Sequence, residues 1–320
     1  MSHKKSVHKS NKMFKTLQTP PFLKPGDTVV IIAPSGVLKQ KIDGVKTSEV
    51  LLKSWGLHVK QGKHLFHSAN HFAGTDAQRA IDMQEALDNP NIKAIWCARG
   101  GYGAVRILDA LDFSTFKTHP KWLIGYSDIT AIHSVIHNEG VESLHAIMCV
   151  NLSDEAPATA ESIKTLKNAL FGENLSYNIK GSAYNRVGVA EGQLVGGNLT
   201  VLQTMLGSKT HIDTSGKILF IEEIGEYKYH IDRMLQSLKR AGYFDACRGV
   251  IVGDISNVKK NTLSWGATVE QLILDALSSY DFPIAFHMPS GHEMDNNALI
   301  LGRTVRLHVT KADSKIVFIP

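Results

Sequence analysis

From residue 25 onward the chain repeats one unit: a short uninterrupted apolar run, a break rich in Gly, Pro or Ser, then apolar residues at helical spacing. Thr28–Ala33 is the first run, opened by Pro25-Gly26-Asp27 and stopped by Pro34-Ser35-Gly36. Lys93–Ala98 is the second; Gly100-Gly101-Tyr102-Gly103 breaks it, and Ala104–Leu111 has helical spacing. Trp122–Tyr126 is the third, broken at Ser127-Asp128 and followed by a helix with Ile129, Ile132, Val135 and Ile136 on one face, ended by Gly140 as a left-handed cap. Runs without polar alternation are what strands buried on both faces require. Strands alternating with helices at this spacing predict an α/β domain with a doubly wound, mostly parallel sheet over about 25–150.

The rhythm fades over 151–190, where Asp154-Glu155-Ala156-Pro157 opens a polar stretch and only Glu161–Leu170 reads as a helix. This segment is expected to be a linker. A second α/β domain is expected over 191–320. There Asn198 caps a helix that Gly207 stops, Lys217–Ile221 and Gly249–Val252 read as strands, and Tyr227–Leu238 reads as a helix. Thr268 and Gln271 form a capping box for a helix to Leu277, Pro283–Phe286 is extended, and Arg303–Val309 alternates as a strand.

Composition changes this picture in a few places. No run reaches the roughly 18 apolar residues of a membrane span, so no membrane association is expected. The three cysteines, Cys97, Cys149 and Cys247, are too few and too scattered for a disulfide scaffold and suit a reducing, cytoplasmic location. Six lysines and no acid fall within 1–24, so the net charge of +5 belongs to that segment, which is expected to be a disordered basic tail. The near-neutral remainder gives a nucleic-acid role no electrostatic footing.

Three constellations could carry chemistry. Ser127 stands where a buried strand turns into a helix, which would lift its hydroxyl above the carboxyl edge of the sheet and leave the Asp128 N–H at a helix start. Ser127-Asp128 could equally be a plain helix cap, and Ile129 replaces the second glycine of a Gly-x-Ser-x-Gly elbow. Arg99-Gly100-Gly101-Tyr102-Gly103 could present backbone N–H groups to a negative charge, or be only a tight turn; it matches neither a dinucleotide nor a Walker loop. Glu222, Glu223 and Glu226 follow a strand, and Pro289-Ser290-Gly291 would hold His292 at a loop tip. His64, His67 and His71 lack an acid at ligand spacing, so no metal and no cofactor is expected.

Taken in order, these motifs resemble those of the LD-carboxypeptidases, serine peptidases that trim peptidoglycan fragments, and of their microcin-immunity relatives. The resemblance rests on Ile32-Ala33-Pro34-Ser35-Gly36, Ala98-Arg99-Gly100-Gly101-Tyr102-Gly103 and Gly125-Tyr126-Ser127-Asp128-Ile129-Thr130. It continues through Gly192-Gln193-Leu194-Val195-Gly196-Gly197-Asn198-Leu199, Phe220-Ile221-Glu222-Glu223, Ile231-Asp232-Arg233 and Gly291-His292. His145-Ala146-Ile147-Met148 departs from the His-Gly-Pro-Met of many relatives, which bears on the turn there.

The resemblance implies Ser127 as nucleophile, His292 as general base and Glu222 as the acid that orients it, with the N–H groups of Gly101 and Asp128 as oxyanion hole. It implies release of terminal D-alanine from murein tetrapeptides during peptidoglycan recycling, by a homodimer. Arg99 and Arg233 are the candidates for reading the substrate's free carboxylate, since an arginine fork matches one; structural ion pairing is the other reading of both. Cleavage of a peptide–nucleotide amide, or muropeptide binding without catalysis, are the competing functions.

Overall fold

The computed structural model describes residues 17–39, 41–153 and 157–320. Its first half contains β1 (Thr28–Ile32), α1 (Ile42–Ser54), β2 (His58–Gln61), α2 (Asp76–Asp88), β3 (Ile92–Cys97), α3 (Ser114–Thr118), β4 (Trp122–Gly125), α4 (Thr130–Asn138), β5 (Ser143–His145) and α5 (Ala160–Phe171). The second half contains β6 (Ser176–Lys180), β7 (Gly188–Asn198), α6 (Leu199–Thr204), β8 (Ile218–Ile224), α7 (Lys228–Arg240), β9 (Gly249–Ser256), α8 (Val269–Ala276), β10 (Ile284–Ala285), β11 (Leu299–Leu301), β12 (Thr304–Val309) and β13 (Asp313–Phe318).

The first sheet has the order β11-β5-β4-β3-β1-β2 and is parallel except where β11 joins β5. Its central strands are apolar on both faces because both faces are covered. Val29 and Ile31 meet the side carrying α1 and α5, while Val30 and Ile32 meet the side carrying α2 and α4. Trp96 and Ile95 divide in the same way. This is the doubly wound parallel architecture that the apolar runs imply. The order reverses between β1 and β3, and such a switch point opens a crevice at the carboxyl ends of the strands.

The second sheet, β10-β9-β8-β7-β12-β13-β6, is parallel over its first four strands and antiparallel beyond β7. The long strand β7 serves both halves: Gly188–Gln193 pairs with β12 and Leu194–Asn198 with β8. Helices α6, α7 and α8 cover one face. Leu194, Ile218, Phe220 and Ile251 on the other face join the core of the first sheet, so one apolar layer runs between the two.

Two expectations change. The segment 151–190 is more than a linker: α5 packs Leu166 and Leu170 into the shared core, and β6 forms the edge of the second sheet. An edge strand with the burial pattern of Ser176–Lys180 has few buried positions to betray it. The charged-tail expectation for 1–24 falls partly outside the described residues, at 1–16. Residues 17–24 are seated on the fold, with Leu23 buried, its N–H donated to Leu170 O at 2.8 Å, and the Gln18 N–H donated to Gly140 O at 2.8 Å. Phe22 stacks on Trp122, with ring centroids 6.2 Å apart.

Candidate active site

Ser127 follows β4 with a φ of 63°, a left-handed conformation that L residues with a β-carbon adopt at a cost. Tyr126 before it is extended and α4 begins three residues later, so the chain reverses sharply at the serine. The loop after β3 lies directly against this turn. A β-carbon built on Gly100 would come within 3.2 Å of Ser127 Oγ, and Gly101 adopts a φ of 104° that only glycine takes readily. The N–H groups of Gly101 and Asp128 are donated to no protein acceptor among the described residues.

The Asp128 side chain binds these two loops together by accepting the Ala104 N–H at 2.8 Å. Burial raises its pKa, and that hydrogen bond opposes the rise. The fully buried Arg79 holds the same loop from beneath, donating to Gly103 O at 2.9 Å and to Pro34 O.

The second domain brings its acid and imidazole to the same crevice. Glu222, near the carboxyl end of β8, is fully buried, and its Oε2 lies 2.7 Å from Nδ1 of His292. Burial of the His292 ring disfavours its charged form, but the charge and hydrogen bond of Glu222, helped by Glu223 and Asp254, outweigh it and raise the pKa. The His292 ring meets the edge of Tyr126 at a centroid distance of 4.8 Å, which places it beside the serine turn. No hydrogen bond joins Ser127 Oγ to His292 in this conformation; such contacts often tighten only when substrate binds.

The other acids have different work. Glu223 accepts from Asn198 Nδ2, from the Thr200 N–H and hydroxyl and from the Ile224 N–H, so it builds the wall of the site. Glu226 pairs with His230 at 2.6 Å. The domains meet tightly here: a β-carbon on Gly197, whose φ is 140°, would fall 2.4 Å from Thr130 Oγ1. A cleft of about 260 Å³ opens in front of Ser127, lined by Gly101, Tyr102, Asn198, Thr200 and Glu223 among others.

Neither candidate arginine lines that cleft. Arg99 donates to Val37 O at 2.5 Å and stays half-buried beside the glycine loop. Arg233 is exposed on α7 and lies over the Tyr229 ring at 5.3 Å, a cation–π contact rather than the ion pair that was its alternative reading. The turn after His145 is pinned without the proline of the relatives, by Trp96 Nε1 donating to Ile147 O at 2.8 Å and Asn151 Oδ1 accepting the Met148 N–H at 2.9 Å. Asp254 escaped notice in the sequence, although it stands just past an apolar run as Glu222 does. Its Oδ2 accepts the Glu293 N–H at 3.3 Å and so anchors the loop carrying His292.

Residues 29–146 match the LD-carboxypeptidase N-terminal domain and residues 191–307 the LD-carboxypeptidase C-terminal domain. The chain belongs to the LD-carboxypeptidase family. It is a serine carboxypeptidase. Among its relatives is a probable murein peptide carboxypeptidase of Bacillus subtilis (strain 168), 36% identical and aligned over 95% of this chain and 96% of that one. The murein tetrapeptide carboxypeptidase of Pseudomonas aeruginosa is 29% identical over 87% and 92% of the two chains. The crystal structure of muramoyltetrapeptide carboxypeptidase from Oxalobacter formigenes superposes with a TM-score of 0.83 at 26% identity, covering 92% of this chain and 99% of that one. The microcin C7 self-immunity protein MccF shares the fold, with a TM-score of 0.83 at 20% identity over 95% and 98%.

Proposed function

We propose that this LD-carboxypeptidase releases the terminal D-alanine of murein tetrapeptides through a triad of Ser127, His292 and Glu222. The observation that carries the reading is the buried Glu222–His292 hydrogen bond set beside a serine held in a left-handed strand-to-helix turn. A serine hydroxyl is too weakly acidic to attack at neutral pH, so His292 removes its proton as the carbonyl is attacked. Glu222 fixes the ring with its proton on Nδ1, leaving Nε2 as the base, and stabilises the imidazolium. The N–H groups of Gly101 and Asp128 receive the oxyanion, each contributing about 3 kcal/mol in the transition state. His292 then returns the proton to the departing D-alanine amine, and water completes hydrolysis by the same route.

Arg99, beside the glycine loop, is the better placed of the two candidates to read the substrate's free carboxylate. Three buried free cysteines support action in a reducing cytoplasm, on peptides returned from the wall for recycling. We take the active form to be a homodimer with no nucleic-acid partner. The exposed Tyr102 ring in the wall of the cleft supports a second reading, stacking on a base in a peptide–nucleotide conjugate.

The test is hydrolysis of a tetrapeptide ending in D-alanine, with products weighed by mass spectrometry, beside the same peptide amidated at its C-terminus. Carboxypeptidase action predicts free D-alanine and about a hundredfold loss of kcat/KM on amidation. Equal rates on both would favour the amide-cleaving reading.

A further inference from the structure

Glu222 and His292 both come from the second domain, and one hydrogen bond of 2.7 Å joins them, between Oε2 and Nδ1. The other carboxylate oxygen of Glu222, Oε1, is buried without a hydrogen-bond partner among the described residues. A ring held at one atom can still turn about that bond, and such a turn swings Nε2 away from the serine. Ser127 Oγ does not prevent it, since no hydrogen bond joins it to His292 in this conformation. Aiming the base before substrate arrives takes a second contact, from the serine's own domain.

Tyr126 makes such a contact. It directly precedes Ser127, is only 5% exposed, and sets its ring 4.8 Å from that of His292 with the planes at 61°. That geometry is an edge-to-face aromatic pair. The tyrosine hydroxyl is tethered, because Asn151 Nδ2 donates to it at 3.0 Å. Asn151 is fixed in turn: its Oδ1 accepts the Met148 N–H and its own N–H is donated to Met148 O, both at 2.9 Å.

The ring is also braced. It lies 5.8 Å from the His145 ring, which meets Phe220 of β8 almost at right angles, 5.0 Å away. His145 and Phe220 are fully buried, and burial holds the His145 pKa well below its ordinary value, so it packs as a neutral ring. A side chain enclosed in this way has little room to turn. His145, Met148 and Asn151 all belong to β5 and the turn after it, the stretch that departs from many relatives at Ala146-Ile147.

We propose that Tyr126 is a positioning residue: its ring, tethered by Asn151, holds the His292 imidazole so that Nε2 faces Ser127 across the domain boundary. The inference rests on the triad reading above and names what fixes the direction of its base.

The experiment compares Tyr126→Phe and Tyr126→Leu with the wild type on a tetrapeptide ending in D-alanine, alone and in a His292→Ala background. Tyr126→Phe keeps the ring and loses the tether, so kcat should fall about three- to tenfold. Tyr126→Leu removes the ring, and kcat should fall about a hundredfold, with KM within about threefold of wild type in both. In the His292→Ala background neither change should lower the residual kcat more than about twofold, since Tyr126 acts through the imidazole. The second readout is the low-field proton NMR signal of His292 Nδ1–H, identified by its absence from His292→Ala. It should stay sharp in the wild type and in Tyr126→Phe and broaden or vanish in Tyr126→Leu.

A Tyr126→Leu variant with wild-type kcat and a lowered urea midpoint would overturn the proposal, because the ring would then only fill the core. The same hundredfold loss in the His292→Ala background would also overturn it, by placing the effect in the serine turn. Failure of the wild type to cleave the tetrapeptide would overturn the murein reading instead. The NMR comparison then decides by itself, and a signal unchanged in Tyr126→Leu would count against Tyr126.

Discussion

Replacing Ser127 by glycine and by alanine separates chemistry from backbone strain. At a φ of 63° a residue with a β-carbon costs about 1–2 kcal/mol more than glycine. Glycine gives back about 0.4–1 kcal/mol of this through the greater freedom of the unfolded chain. Among the described residues the serine hydroxyl has no hydrogen-bond partner, so its loss adds little. Ser127→Gly should therefore be more stable than Ser127→Ala by about 0.5–1 kcal/mol, read as a shift of the urea midpoint at unchanged slope. Both variants should lose roughly four to six orders of magnitude in kcat, because both lack the proposed nucleophile. Two results would refute the reasoning. If Ser127→Ala is as stable as Ser127→Gly, the turn stores no strain; if Ser127→Gly keeps its turnover, the serine is not the nucleophile.

Other perturbations test neighbouring parts of the account. Gly100→Ala would place a methyl 3.2 Å from Ser127 Oγ while leaving the fold intact, so kcat should fall at least tenfold with an unchanged circular dichroism spectrum. With neutral His292 as the proposed base and its pKa raised by Glu222, kcat/KM should fall as the pH drops through a value higher than that of a free histidine. Glu222→Gln removes the charge that favours the imidazolium, so the surviving activity, roughly 10³–10⁴-fold lower, should have its acid limb at lower pH. Gly197→Ala sets a β-carbon 2.4 Å from Thr130 Oγ1 at a φ of 140°, and should destabilise the protein by roughly 2–4 kcal/mol in urea titration.

What could be read from the sequence follows from what is buried on both faces. Strands β1, β3 and β4 are covered on each side, so no polar alternation interrupts them and the breaks after them mark the loops of the site. Strand β2, largely exposed His58–Gln61, has no such run and gives no signal. Helix α2 buries Arg79 and Asp82 within its apolar stripe, since Arg79 braces the glycine loop and Asp82 accepts from His64, and those charges blur the 3.6-residue pattern. Strand β11 crosses back from the C-terminal half to the first sheet, and three residues carry no period from which to infer a partner. The strand-to-helix turn at Ser127 was legible because it is local. The pairing of Glu222 with His292 spans 70 residues and came only from the order of the family motifs.

The central claim is that Ser127 and His292 act as one unit. The measurement that tests it most directly is kcat on a tetrapeptide ending in D-alanine for Ser127→Ala, His292→Ala and the double variant. Each single change should cost several orders of magnitude, and the double variant should be little worse than either. Losses that multiply, or a His292→Ala variant near wild-type activity, would contradict the triad.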